Sequence, residues 1–290
     1  MYDTTSPGPT DQGVTLVIGG TGKTGRRVAE RLLARGVETR IATRSTAPSF
    51  DWNDRSTWDA ALAGVTAAYL SYAPDLAIPG AADAIREFVA QAVETGVRRL
   101  VLLSGRGEEE AQACERVVQA SGAAWTIVRA SWFNQNFSEG EFLGMVRDGV
   151  IMLPAADIPE PFVDVEDIAD VAVAALIEEG HAFEIYEVTG PRLLTFTEVA
   201  RELSDAAGRE VRFVPTAKKA FAEAIAASGA PDDLVWLLNY LFETVLDGRN
   251  AHLGDGVRRA LGREPADFTA YARRIAALGV WHPANGEAAA

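Results

Sequence analysis

Apolar residues fall into two alternating rhythms along the chain. Short runs at residues 15–18, 39–43, 67–70, 99–103 and 125–128 predict strands. Between them lie longer segments with helical spacing. Residues 25–35 place Val28, Leu32 and Leu33 on one face and stop at Gly36, a residue suited to a helix C-terminus. Residues 79–95 stop likewise at Gly96. Residues 108–120 open on Glu108, Glu109 and Glu110, where the helix dipole favours negative charge. After its arginine, the run at 99–103 is wholly apolar, as expected of a parallel strand buried on both faces. Repeated strand–helix alternation predicts an α/β fold, a doubly wound parallel sheet covered on both sides. Beyond about Pro154 the rhythm changes. A helix is expected at 165–177, a strand at 184–188, a helix at 195–207 and a strand at 211–214. Residues 216–278 read as mostly helix, broken at 229–231, 248 and 262–265. The expected division is a nucleotide-binding domain at 14–154 and a smaller, helix-rich C-terminal lobe at 155–283, which would carry the substrate.

Composition narrows the chemistry. The 290 residues include 27 basic and 41 acidic ones, a formal net charge of −14, with 48% hydrophobic. Acidity on this scale argues against a nucleic-acid partner, which needs clustered positive charge. Cys114 stands alone, so an intramolecular disulfide, a Cys-x-x-Cys zinc site and a dithiol redox pair are all excluded. His181, His252 and His282 are too far apart in sequence for a two-histidine metal face on one helix, and no metal site is expected. His181 itself, in Glu-Glu-Gly-His, reads as a solvated turn residue. Only Lys23, Lys218 and Lys219 are available to any mechanism needing a lysine. No apolar run approaches the roughly 18 residues that span a bilayer, so no membrane partner is expected. Residues 1–13 are polar and carry Pro7 and Pro9, unlike a signal peptide, and they and residues 283–290 read as tails. The expected location is the cytoplasm.

The sharpest motif is the turn after the first strand: Gly19, Gly20, Thr21, Gly22, Lys23, Thr24 and Gly25. It satisfies Gly-x-Gly-x-x-Gly at Gly20, Gly22 and Gly25. Such glycines allow a tight turn, close approach of a pyrophosphate and close helix–strand packing, and the following helix N-terminus offers free amides to phosphate. The Gly22-Lys23-Thr24 step mimics a P-loop, but Val17 stands where that motif needs glycine. A dinucleotide is therefore expected. No acidic residue ends the second strand to bind the ribose hydroxyls of NAD. Arg44 stands there instead, favouring the 2′-phosphate of NADP, with NAD as the alternative.

The strand ending Val101-Leu-Leu-Ser104-Gly suggests a short-chain dehydrogenase/reductase, yet none of the six tyrosines has a lysine four residues later. The conventional catalytic pair is absent. Other stretches resemble the NmrA-like atypical branch: the glycine turn, Arg44, Ala60-Ala-Leu-Ala-Gly-Val65, Ser71-Tyr-Ala-Pro74, Trp125-Thr-Ile-Val-Arg129, Trp132-Phe-Asn-Gln-Asn136, Phe162-Val-Asp-Val-Glu-Asp167, Tyr186-Glu-Val-Thr-Gly-Pro191 and Leu261-Gly-Arg-Glu-Pro265. The resemblance covers about residues 14–282. Residues 44–51 leave no room for that family's usual second crossover helix.

The resemblance implies that Ser71, Tyr72, Ala73 and Ser104 flank the cofactor, with Asp51 and Trp52 near the adenine. It also implies a substrate site near Trp132, Phe133, Asn136 and Phe162. Ser104 and Asn134 are the candidate catalytic groups, and Glu115 reads as structural, bonded to backbone or to Arg129. Without a tyrosine acid, reduction of a quinone or extended enone, whose product anion is delocalised, is easier than reduction of a simple ketone. The expected function is an NAD(P)H-dependent oxidoreductase acting on a quinone-like or conjugated aromatic small molecule, and family members that tailor aromatic polyketides suggest secondary metabolism. Two other readings stay open: a non-catalytic dinucleotide sensor working through a protein partner, and oxygenation or coupling on the same scaffold. The apolar helix at 236–242 has surface enough for a homodimer or partner, or simply for the core of the second lobe.

Overall fold

Strand β1 (Val14–Ile18) is buried at four of its five positions, so both its faces must be covered. In the computed structural model, which describes residues 13–155 and 157–282, that cover is two helical layers. The strands that follow are β2 (Thr39–Ala42), β3 (Val65–Leu70), β4 (Arg99–Gly105), β5 (Ala124–Ala130), β6 (Val150–Leu153) and β7 (Glu184–Val188). Six of them form one sheet in the order β2-β1-β3-β4-β5-β7, with every pair parallel. The sheet is the expected doubly wound, Rossmann-type one. Side chains alternate across it: Leu16 and Ile18 join one core beneath α3 (Ala81–Thr95) and α4 (Glu109–Gln119). Val17 joins the opposite core with Val28 of α1 (Gly25–Ala34) and Ile168 of α7 (Val165–Ile177). Winding reverses between β1 and β3, which opens a crevice at their C-terminal ends, the usual ligand position in such sheets.

No helix lies between residues 44 and 51. The second crossover is made later, by a 3-10 turn (Arg55–Thr57) and the five-residue α2 (Trp58–Leu62). Phe50, Trp52, Trp58 and Phe88 pack edge to face there.

The rest of the chain supplies α5 (Asn136–Glu139), α6 (Leu143–Arg147), α8 (Phe196–Ala207), β8 (Arg212–Pro215), α9 (Lys218–Ala227), α10 (Asp232–Tyr240), α11 (Gly256–Leu261) and α12 (Phe268–Ala277), which, α11 apart, build a second layer. Helix α10 continues into a π-helical turn, Leu241–Val245. β6 pairs parallel with β8, and Phe137, Phe196, Phe242, Phe268 and Trp281 form a third core. Packing does not follow the expected division at 154. Helix α7 and Val257 of α11 belong to a core of the main sheet, and β7 is its edge strand. Arg27 and Arg31 of α1 fasten α7 through Glu166 and Asp170, at 2.6–2.7 Å.

His181 corrects another expectation. It is buried, with Nδ1 2.9 Å from the Tyr186 hydroxyl, and its carbonyl accepts from Thr126 Oγ1 at 2.7 Å. The approach to β7 folds over the start of β5, at Trp125 and Thr126, and takes the histidine with it. Among the described residues no helix is long and apolar enough to cross a membrane, and no group of His, Cys, Asp and Glu side chains suits a metal ion. Apart from Gly13, the two expected tails lie outside the described residues.

Candidate active site

The turn between β1 and α1 is built by close approach. A Cβ on Gly20 would fall 2.6 Å from Ile41, and one on Gly25 would collide with the Gly19 carbonyl. Gly19 itself has φ +70°, a conformation glycine takes at no steric cost. No side chain caps α1, and while the Arg26 amide is taken by Gly22 O, those of Lys23, Thr24 and Gly25 have no partner among the described residues and remain for a ligand. A dinucleotide diphosphate fits such a cradle. Gly19 N donates to Ala42 O at 3.1 Å, tying the turn to the end of β2. Two residues further on, Arg44 is exposed and makes no ion pair among the described residues.

From this turn a cavity of about 520 Å³ runs across the C-terminal ends of β3, β4 and β5. Gly22, Lys23 and Thr24 line one end, then Ser71, Tyr72 and Ser104, then Trp132, Phe133 and Asn136. Lys23 Nζ donates to Asn136 Oδ1 at 3.0 Å and lies 3.5 Å from Glu141, so the turn is joined to the second layer. Trp132 packs among Phe142, Phe196 and Phe242 on one side while lining the cavity with another.

Other expected residues stand outside the lining. Trp52 is buried in the aromatic cluster, its Nε1 donating to Ser71 O at 3.2 Å and its ring 5.0 Å from Tyr72, so it backs the cofactor edge from behind. The Asp51 carboxylate accepts from Asn53 N at 2.9 Å, in an exposed local turn. Phe162 is corrected from substrate contact to core: it is 2% exposed and packs on Phe137, Phe196 and Phe268. Asn134 is likewise fully buried away from the cavity, because its backbone N–H pairs with Val163 O and draws it beneath the loop.

Ser104 lines the cavity, but its hydroxyl donates to Glu115 at 2.6 Å. Glu115 is held by both Nε and Nη2 of Arg129, at 2.9 and 2.5 Å, as the structural reading expected. The ladder continues through Glu187, shared by Arg129 and the buried Arg106. Arg106 also reaches Ser131 Oγ and the Asn250 carbonyl.

Three features of the cavity wall were not anticipated. Arg106 lines it. So do Leu234, Leu237 and Leu238 of α10 and Leu241 of the π turn, in and beside the 236–242 stretch read above as surface or core. So, finally, do Asp75 and Glu108. Glu108 was expected to be a charged helix-start residue; it is 6% exposed. Burial and the neighbouring Asp75 charge hold its carboxyl well above the usual carboxylate range. The signal available in sequence was its position, four residues past Ser104 at a strand's C-terminal end.

Comparison with known proteins agrees with this geometry. Residues 19–179 match the NAD(P)H-binding family. The NAD(P)H azoreductase of Xenophilus azovorans is 30% identical over 284 residues, covering 90% of this chain and 98% of that protein. Among solved structures, triphenylmethane reductase of Citrobacter sp., complexed with NADP(H), superposes with a TM-score of 0.76 at 18% identity, over 90% of this chain and 99% of that one. NmrA, a negative transcriptional regulator in complex with NADP, gives 0.69 at 15% identity, over 93% and 97%. The fold, the glycine turn and these likenesses agree: the chain shares the fold of NmrA and of triphenylmethane reductase, and it belongs to the NAD(P)H-binding family.

Proposed function

We propose that the protein is an NADPH-dependent reductase of a quinone-like or conjugated aromatic small molecule. One observation carries the reading: a single cavity joins the phosphate turn to an apolar wall made by Trp132, Phe133, Phe142 and the α10 leucines. Its volume is within the range of small-molecule sites, and its aromatic faces suit a flat ligand. The dinucleotide, when bound, supplies the hydride.

The chain's own residues do the rest. Uncapped amides at the start of α1 and the Lys23 ammonium take the diphosphate charge. Arg44 takes the 2′-phosphate, which favours NADP over NAD. Ser71, Tyr72 and Ser104 border the cavity along the strand ends, and Trp132 and Phe133 stack against the acceptor, excluding water. Helix α4 holds neither Tyr nor Lys, so a substrate whose reduced anion is delocalised is the one best served.

The azoreductase and the triphenylmethane reductase are named for extended conjugated substrates, which supports the class. A tailoring step on an aromatic polyketide would fall within it. The sensor reading, for which NmrA is the model, gives no use to the apolar end of the cavity. The test is stopped-flow oxidation of NADPH against a panel of quinones and polycyclic enones. Turnover with members of that panel is expected, and tight NADPH binding with no oxidation by any of them would overturn the reading.

A further inference from the structure

The proposed chemistry leaves one need unmet. The anion formed on reduction has to be protonated inside a largely apolar cavity, and the Ser104 proton is committed to Glu115. Two carboxyl groups, Asp75 and Glu108, line that same cavity, near enough for the Asp75 charge to act on Glu108. Two neighbouring carboxylates repel, so their burial together favours a proton on one of them. Asp75 Oδ1 accepts from Ala77 N at 2.8 Å, which favours its ionised form. The Glu108 carboxyl accepts from no donor among the described residues, and its buried Oε2 has no hydrogen-bond partner. The proton therefore resides on Glu108, beside the Asp75 charge. Room for the carboxyl is made by Gly105 at the end of β4, where any Cβ would occupy the carboxyl's own position.

The surroundings keep the proton in place. Glu110 and Glu115 on α4 add negative charge, and Tyr240 of α10 donates to Glu110 without reaching Glu108. The Cys114 thiol, between Asp75 and Glu115, is pushed up to about 12 by burial and those charges, so it stays neutral. Arg86 acts on that thiol, and Arg106 is engaged by Glu187, Ser131 and Asn250. No cation pairs with Asp75 or Glu108 among the described residues. Burial and the Asp75 charge raise the Glu108 carboxyl, and burial raises Asp75 as well.

We propose that Glu108, beside Asp75 in the cavity wall, is the proton donor that completes the reduction. The step is a proton transfer only. The Glu108 O–H bond breaks, its electron pair stays on the carboxylate, and a new bond to hydrogen forms on the enolate or phenolate of the acceptor. Nothing is oxidised or reduced in it. Asp75, mostly buried but open to the cavity, then relays a proton from water back to Glu108. Glu108 is thus a catalytic residue, and Asp75 a positioning residue that holds and recharges it. The assignment rests on the reductase reading above.

The test compares wild type with Glu108→Gln and Asp75→Asn, both close in shape to the residues they replace. In wild type, kcat for a quinone or enone acceptor should fall as pH rises through the raised carboxyl range. Glu108→Gln should lower kcat by about 10²-fold, the lower end of general acid catalysis, and abolish that limb while leaving the NADPH dissociation constant unchanged. Asp75→Asn should move the limb. Independently of turnover, an infrared difference spectrum of the acceptor-free protein, taken with and without Glu108→Gln in a Glu160→Gln background, should contain a protonated-carboxyl carbonyl band at neutral pH. A Glu108→Gln enzyme with wild-type kcat and pH profile overturns the assignment, and so does a difference spectrum that lacks this band. Wild type that oxidises no NADPH overturns the reductase reading instead, and the catalytic role with it, while the band still reports whether the pair holds a proton.

Discussion

Ser104 gives its hydroxyl proton to Glu115 across 2.6 Å, and Arg129 grips the same carboxylate from the other side. The serine thus turns its lone pairs, rather than its proton, toward the cavity. Ser104→Ala removes one hydrogen bond from a buried carboxylate and should cost about 1–2 kcal/mol of stability, read as an earlier urea midpoint. The pH profile of turnover should keep its shape. A lost alkaline limb in this variant would assign the proton to Ser104 and contradict its hydrogen-bond direction.

Arg44 stands two residues beyond β2, whose end is pinned to the glycine turn by the Gly19–Ala42 hydrogen bond. Its guanidinium is exposed and has no acidic partner among the described residues. A charge-assisted contact with a 2′-phosphate contributes about 1.5–3 kcal/mol. Arg44→Ala should therefore weaken NADP by roughly 10- to 100-fold and NAD far less, measured by calorimetric titration of each. Equal weakening would remove the 2′-phosphate assignment.

What could be read beforehand was what depends on neighbours in sequence. The spacing of Val28 and Leu32, the glycines of the first turn and the apolar run after Arg99 fix elements locally, and the parallel sheet follows from their alternation. The Glu115–Arg129 pair was also legible, since both sit on elements that adjoin in any such sheet. Elements such as α5 and β6, each four residues long and set in a stretch without regular strand–helix alternation, were not. Site residues failed for a different reason. Glu108 has the charge and position of an ordinary helix start, and only the β3–α3 loop, folding Asp75 against it, makes it a buried acid. Leu234 and Leu238 are spaced like any core helix, and which cavity they face depends on a chain reversal almost a hundred residues after β5. Phe162 follows the family motif but turns into the third core, where three other phenylalanine rings await it.

Glu160 predicts a pH dependence of stability. It is fully buried, neither carboxylate oxygen has a hydrogen-bond partner among the described residues, and burial raises its carboxyl to about 7 despite the opposing charge of Arg106. A folded-state value above the unfolded one means that the contribution is complete below about pH 4.5 and is lost as pH climbs through about 7. Glu160→Gln abolishes that titration. Relative to wild type the variant should gain stability between about pH 5 and pH 8, by roughly 2–3 kcal/mol at the upper end. Urea denaturation of both proteins at the two pH values measures it. A pH-independent difference would mean that Glu160 is already ionised in the folded protein.

Leu238 tests where the acceptor lies. It is half-buried on α10, lines the cavity opposite the phosphate turn and packs against the third core. Replacing it with Trp adds a ring's volume to a space of about 520 Å³. If the leucine wall bounds the acceptor, the acceptor should lose room while the dinucleotide, held at Gly22, Lys23 and Thr24, keeps its contacts. The variant should raise KM for polycyclic quinones by about ten-fold or more, leave single-ring quinones nearly unaffected, and bind NADPH as wild type does, since one filled pocket position is worth roughly 1–3 kcal/mol of discrimination. Steady-state kinetics with acceptors of increasing ring number, alongside NADPH fluorescence titration, separates the cases. Weakening of NADPH in step with the acceptors would put α10 over the cofactor and leave the aromatic pair Trp132 and Phe133 as the sole acceptor wall.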